Sequence, residues 1–142
     1  MKVKIYFLPF ILLVSLGSCS TNSEITIENI NGYWEIMSVE KNNTLIKKYS
    51  INSTVDYFKL KNDLTGFRKK VIPTLEGKYI ITKHNTFFTI KSENDSLNIY
   101  YQNNESIIKE TIVKLSKTEL IIVNSEGFKY IYKPFKKTEL LP

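Results

Sequence analysis

Beyond residue 30 the chain alternates between apolar and polar positions with a period of two, the signature of half-buried β-strands. The first such run, expected over residues 32–40, puts Trp34 and Ile36 on one face, with Ser38 next in phase, and Tyr33, Glu35 and Met37 on the other. Gly32 permits the sharp entry into it. Residues 55–61 follow with Phe58 and Leu60 in phase, then 67–72, stopped by Pro73. Residues 78–83 carry Tyr79 and Ile81 in phase, 86–91 Phe88 and Ile90, and 97–102 Leu97, Ile99 and Tyr101. Runs at 107–115 and 119–123 precede a last strand in which Phe128, Tyr130 and Tyr132 alternate with Lys129, Ile131 and Lys133 up to Pro134.

Short polar clusters rich in Asn, Asp, Ser and Gly separate these runs, for example at residues 62–66, 93–96, 103–105 and 124–127. Such links leave room only for antiparallel neighbours, so the nine candidate strands form an up-and-down meander. Closing it removes the exposed edges of an apolar open sheet, and about eight strands enclose an interior able to hold one small ligand. The expected fold class is therefore all-β, a closed antiparallel barrel of about eight strands. A membrane-spanning barrel would need strands of about nine to eleven residues, longer than the five to seven of most runs expected here. Residues 41–54 read as a long loop with Leu45, Ile46, Tyr49 and Ile51 among polar residues, and a strand or short helix is the other reading. Loops of that length without regular structure are usually functional or disordered.

The N-terminus follows a different pattern. Lys2 and Lys4 precede an apolar core over residues 5–16, and Leu16-Gly17-Ser18-Cys19 resembles the lipobox of bacterial lipoproteins, with small residues at the cleavage site and a thiol to carry diacylglycerol. The resemblance implies a leader at 1–18, lipidation of Cys19, the sole cysteine, and a polar tether over 19–30. Three acyl chains, each methylene worth about 0.8 kcal/mol when buried, would hold the protein stably on a membrane. Ser20, not Asp, after the cysteine favours the outer membrane of the cell envelope. The barrel domain is then expected over 31–135 and a tail over 136–142.

The chain has 142 residues, a length for one domain, and nine Tyr and eight Phe join Ile and Val in an apolar set without alanine, as strands prefer. The formal charge of +6 is spread as single lysines along strand faces, and no nucleic-acid-binding motif accompanies it, so no nucleic-acid partner is expected. With one His, His84 in a turn, and one Cys, no metal site is expected. No nucleophile elbow or phosphate-cradling glycine loop occurs, and neither catalysis nor a cofactor is expected.

Gly32-x-Trp34 at the head of this strand series resembles the lipocalin-like domains over about residues 30–134, and the Asn/Lys/Ile-rich composition is similar to that of lipocalin-like lipoproteins of Bacteroidota-type bacteria. The resemblance implies that Trp34 plugs the closed end of the barrel and that residues 41–54 form a flap over the open end. It also implies a basic residue near the last strand packed over the tryptophan, where Lys129 and Lys133 stand; the single arginine is Arg68. A ligand-holding barrel would be lined by Trp34, Phe58, Tyr79, Phe88, Tyr101, Tyr130 and Tyr132, with Tyr49 from the flap. The same rings would equally fill a barrel without a cavity. The leading expectation is a lipid-anchored envelope protein binding a small apolar or amphipathic ligand. The alternative is a protein-interaction lipoprotein of inhibitor or immunity type, acting on an envelope partner.

Overall fold

A computed structural model describes residues 25–82, 84–102 and 106–136. The leader, Cys19, most of the tether, the 103–105 turn and the end of the tail lie outside the described residues.

After a 3-10 turn at Ile27–Ile30 come β1 (Gly32–Lys41), β2 (Thr44–Lys48), β3 (Val55–Leu60), β4 (Thr65–Pro73) and β5 (Tyr79–Ile81). They are followed by β6 (Thr86–Glu93), β7 (Ser96–Gln102), β8 (Ile107–Leu115), β9 (Leu120–Asn124) and β10 (Phe128–Pro134). All pairings are antiparallel, and β10 returns to β1, with Trp34 opposite Pro134 and Ile36 opposite Tyr132, to close the sheet. The barrel proper is β1-β3-β4-β6-β7-β8-β9-β10, the all-β eight-stranded closure expected.

The two further strands are first segments of interrupted barrel strands. β2 pairs with residues 38–41 of β1 and β3 with residues 32–34 along the same side of β1; β5 and β6 share a side of β4 in the same way. The long loop expected over 41–54 is thus corrected: residues 44–48 form a strand. Asn42 and Asn43 both take positive φ (51° and 58°), the left-handed pair of a two-residue hairpin, and asparagine tolerates that conformation. Only residues 49–54 leave the sheet, and they are tied across the gap. The Tyr49 amide donates to the Met37 carbonyl (2.8 Å), and the Asn52 side-chain amide donates to the Ile36 carbonyl (2.9 Å).

A register shift between Ile36 and Ser38 makes Met37 an extra residue. Past it the phase slips by one, and Val39, not Ser38, is buried. A second shift between Ile112 and Lys114 leaves Val113 exposed in the same manner.

One core fills the closed end: Ile30, Trp34, Phe58, Phe88, Ile90, Ile99, Ile112, Leu115, Leu120 and Ile122. The 3-10 turn lies beneath it, and the Trp34 indole N–H donates to the Ile30 carbonyl at 2.9 Å, so the plug and the tryptophan fix each other. No basic residue covers the indole among the described residues. Lys129 and Lys133 point outward and pair with Glu40 (3.3 Å) and Glu35 (3.0 Å), because the strand alternation that sends Tyr130 and Tyr132 inward sends them out. Gly66 faces this core, and a Cβ there would lie 2.6 Å from the Phe88 ring, which explains a glycine in mid-barrel.

The outer wall carries Lys59, Lys69, Lys91 and Lys109 among its apolar residues, charges that the lipid-facing wall of a membrane-spanning barrel disfavours. Three strands, β1, β4 and β8, do reach nine or ten residues, so wall polarity and not strand length distinguishes the two barrels.

Candidate functional site: a charged cleft at the open end

Strand alternation that points Phe58 inward also points Asp56 inward, two residues towards the open end, and its neighbours in register are Trp34 and Lys70. Arg68 lies opposite Phe58 and also points in. Its Nη2 donates to Asp56 Oδ2 and to the Tyr132 hydroxyl, both at 2.9 Å, while its guanidinium lies 5.1 Å from the Phe58 ring centre. Its Nη1 makes longer contacts, 3.5 Å to the Tyr101 hydroxyl and 3.7 Å to Glu110 Oε2. Lys70 Nζ donates to the second oxygen of Asp56 at 3.1 Å. The Asp56 side chain is only 5% exposed and that of Arg68 20%, so this ion pair is shielded; the Lys70 side chain, at 61%, reaches solvent.

These groups divide the interior into two layers. Below Arg68 it is apolar and packed; above, it opens into a cleft of about 500 Å³ whose wall includes Asp56, Arg68, Lys70, Thr86, Tyr101 and Glu110. A second recess of about 300 Å³ adjoins it under residues 49–54, sharing Asp56 and Lys70 and adding Ile36, Tyr49 and Tyr132. Among the described residues no group of three or more His, Cys, Asp or Glu stands close enough to hold a metal ion.

Beside this closed eight-stranded meander, plugged by a tryptophan at one end and open at the other, stands a match in sequence: the family model of the lipocalin-like domain covers residues 30–122. The chain belongs to the lipocalin-like domain family. Among solved structures, a lipocalin-like protein from Bacteroides uniformis ATCC 8492 is similar at 13% identity, covering 75% of this chain and 99% of that one with a TM-score of 0.46. No curated protein matches the chain.

Within this lipocalin-like barrel the eight aromatic residues expected to line a ligand site fall in different places. Trp34, Phe58 and Phe88 belong to the packed closed end. Tyr101 and Tyr132 stand at the boundary, their rings buried and their hydroxyls on Arg68. Tyr130 is half-buried above them, its hydroxyl accepting from the Asn124 amide at 3.3 Å, and Tyr49 edges the smaller recess. Tyr79 is on the outer wall: its ring stacks on Tyr33 at 4.2 Å, and the Tyr57 ring lies 4.7 Å from Tyr33. β5 and β6 pair with different parts of β4, so the alternation at Tyr79 and Ile81 does not continue the inward phase of Phe88. Asp56, Arg68, Lys70 and Glu110 are the site residues that reading the sequence missed. The available signal was Asp56 at the apolar phase of its strand, two positions before Phe58, which places a charge on a core face and demands a partner.

Electrostatics keep the cleft charged. Burial works to raise the pKa of Asp56, but the charges and hydrogen bonds of Arg68 and Lys70 outweigh it and hold the carboxyl below its ordinary value of 3.8. Burial likewise pushes Tyr132 up to about 12 and Tyr101 higher, so both remain neutral hydroxyls at neutral pH and accept from Arg68. A folded-state pKa below the unfolded one means that Asp56 contributes its stability above about pH 3.8 and loses it as pH falls through the depressed value. Denaturant titrations of wild type and Asp56→Asn should therefore show a stability gap that is constant near neutrality and narrows below pH 3.8. A gap unchanged through that window would mean that Asp56 is not the ionised partner of Arg68.

Proposed function

We propose that this lipocalin-like protein is a lipid-anchored binding protein of the cell envelope, attached through Cys19 and taking a small amphipathic ligand at the open end of its barrel. The observation that supports ligand binding is the division of the interior. The lower half is filled by side chains, and the upper half is a cleft of about 500 Å³ with Asp56, Arg68, Lys70 and Glu110 in its wall. Small-molecule sites take this form, concave with a few convergent polar groups. The packed lower half disfavours a purely apolar ligand running the length of the barrel. Lipocalin-like proteins are in general binding proteins and not enzymes.

The anchor is supported by the Leu16-Gly17-Ser18-Cys19 sequence, and the outer membrane by Ser20. Palmitate labelling should be present in the wild type and lost in Cys19→Ala; labelling that persists in the variant would remove the anchor. Native mass spectrometry of the protein purified from its membrane fraction should show a co-purifying small molecule. A mass of protein and anchor alone would favour the second reading, a protein-interaction lipoprotein. That reading is supported by the filled lower barrel and by the exposed apolar residues Ile80 and Ile81 of β5 and Phe87 of β6.

A further inference from the structure

Among the described residues, one buried side-chain polar atom has no hydrogen-bond partner: Oε2 of Glu110. Such an atom costs stability unless something at times satisfies it, and here its surroundings say what is missing. Glu110 lies in the wall of the larger cleft, and its nearest cation, Arg68 Nη1, stands 3.7 Å away, too far for a hydrogen bond. Arg68 is already held by two 2.9 Å bonds, which both leave from Nη2 towards Asp56 and Tyr132. In the shielded layer two carboxylates, Asp56 and Glu110, thus share one guanidinium, and Asp56 holds it. Lys70 supplies the balancing charge for Asp56 from the rim, spending one donor there and keeping the others free for the cleft.

We infer that the cleft recognises a primary-amine zwitterion, its ammonium taken by Glu110 and its adjacent anionic group by Lys70. The inference rests on the reading of the open end as the ligand site and goes further by assigning the headgroup chemistry. An ammonium supplies what Glu110 Oε2 lacks, an N–H donor close enough to replace the loose Nη1 contact. Lys70 lines both the cleft and the adjoining recess, so it is the charge an entering anionic group meets. A neutral pair of charges on the ligand also leaves the site's own balance undisturbed, whereas a simple anion would add negative charge next to Asp56 and Glu110. Ile108 beside the cleft and Ile36 and Ile51 in the recess offer apolar contact to a short chain.

Isothermal titration calorimetry of the purified protein with three monomeric probes separates the alternatives: hexyl phosphoethanolamine, hexyl phosphocholine, which has the same charges but no N–H, and hexyl phosphate. The phosphoethanolamine should bind about tenfold or more tightly than either other probe, the usual weight of one hydrogen bond to a charged group. Glu110→Gln should abolish the preference over phosphocholine, and Lys70→Met should weaken all three probes. Glycerophosphoethanolamine, a chain-free phosphodiester of the same net charge, tells a soluble zwitterion from a lipid headgroup: affinity equal to that of the hexyl ester means the former, a large loss the latter. Equal affinity for the amine and choline probes, or a preference that survives Glu110→Gln, overturns the headgroup assignment while leaving the cleft as a site. Absence of binding by every probe in a folded wild type overturns the ligand-site reading as well.

Discussion

Replacing Trp34 with alanine should destabilise the protein by about 3–5 kcal/mol, the usual cost of truncating a large buried aromatic. Trp34 is 3% exposed, sits in the core at the closed end and donates from its indole to the Ile30 carbonyl. Removing it therefore empties part of the core and frees the 3-10 turn that closes the barrel. A domain of this size has about 5–15 kcal/mol in total, so much of the variant would be unfolded on warming. Trp34→Phe refines the result: it keeps most of the ring but leaves the buried Ile30 carbonyl without its donor, at a further cost of about 1–3 kcal/mol. Urea denaturation followed by tyrosine fluorescence or circular dichroism measures both. An alanine variant as stable as wild type would mean that the plug is held by Ile30 and its neighbours alone.

The second large effect is expected at Arg68. Arg68→Leu leaves Asp56, with a 5% exposed side chain, facing only the rim lysine, and breaking one side of a buried ion pair costs about 3–5 kcal/mol. The cost arises from the stranded carboxylate more than from lost attraction. The double variant Asp56→Leu/Arg68→Leu should therefore be more stable than Arg68→Leu by itself, although it also loses the guanidinium's bond to Tyr132 and its place over Phe58. Denaturant midpoints of the two single variants, the double variant and wild type give the coupling between the two residues. A double variant that falls by the sum of the single losses would show that the two charges do not depend on each other.

Period-two alternation and frequent polar turns determined the strand class, the meander order and the closure of the sheet, because short links leave antiparallel neighbours as the only arrangement. Gly32, Trp34 and the apolar positions from Phe58 to Tyr132 could be placed on the correct face wherever a strand ran uninterrupted. Three features needed the tertiary structure. The Met37 and Val113 bulges each shift the phase by one residue, and nothing local marks them, since the extra residue is settled by how neighbouring strands fit. Residues 44–48 lack alternation because β2 is exposed along its whole length, so burial could not write a pattern into them. The cleft itself is a meeting of side chains far apart in sequence. Asp56, Arg68, Tyr101, Glu110 and Tyr132 come from β3, β4, β7, β8 and β10, and each is an ordinary strand residue until closure of the barrel brings them into one shielded volume. There the low dielectric makes pairing obligatory for Asp56 and Arg68 and leaves one oxygen of Glu110, Oε2, without a hydrogen bond.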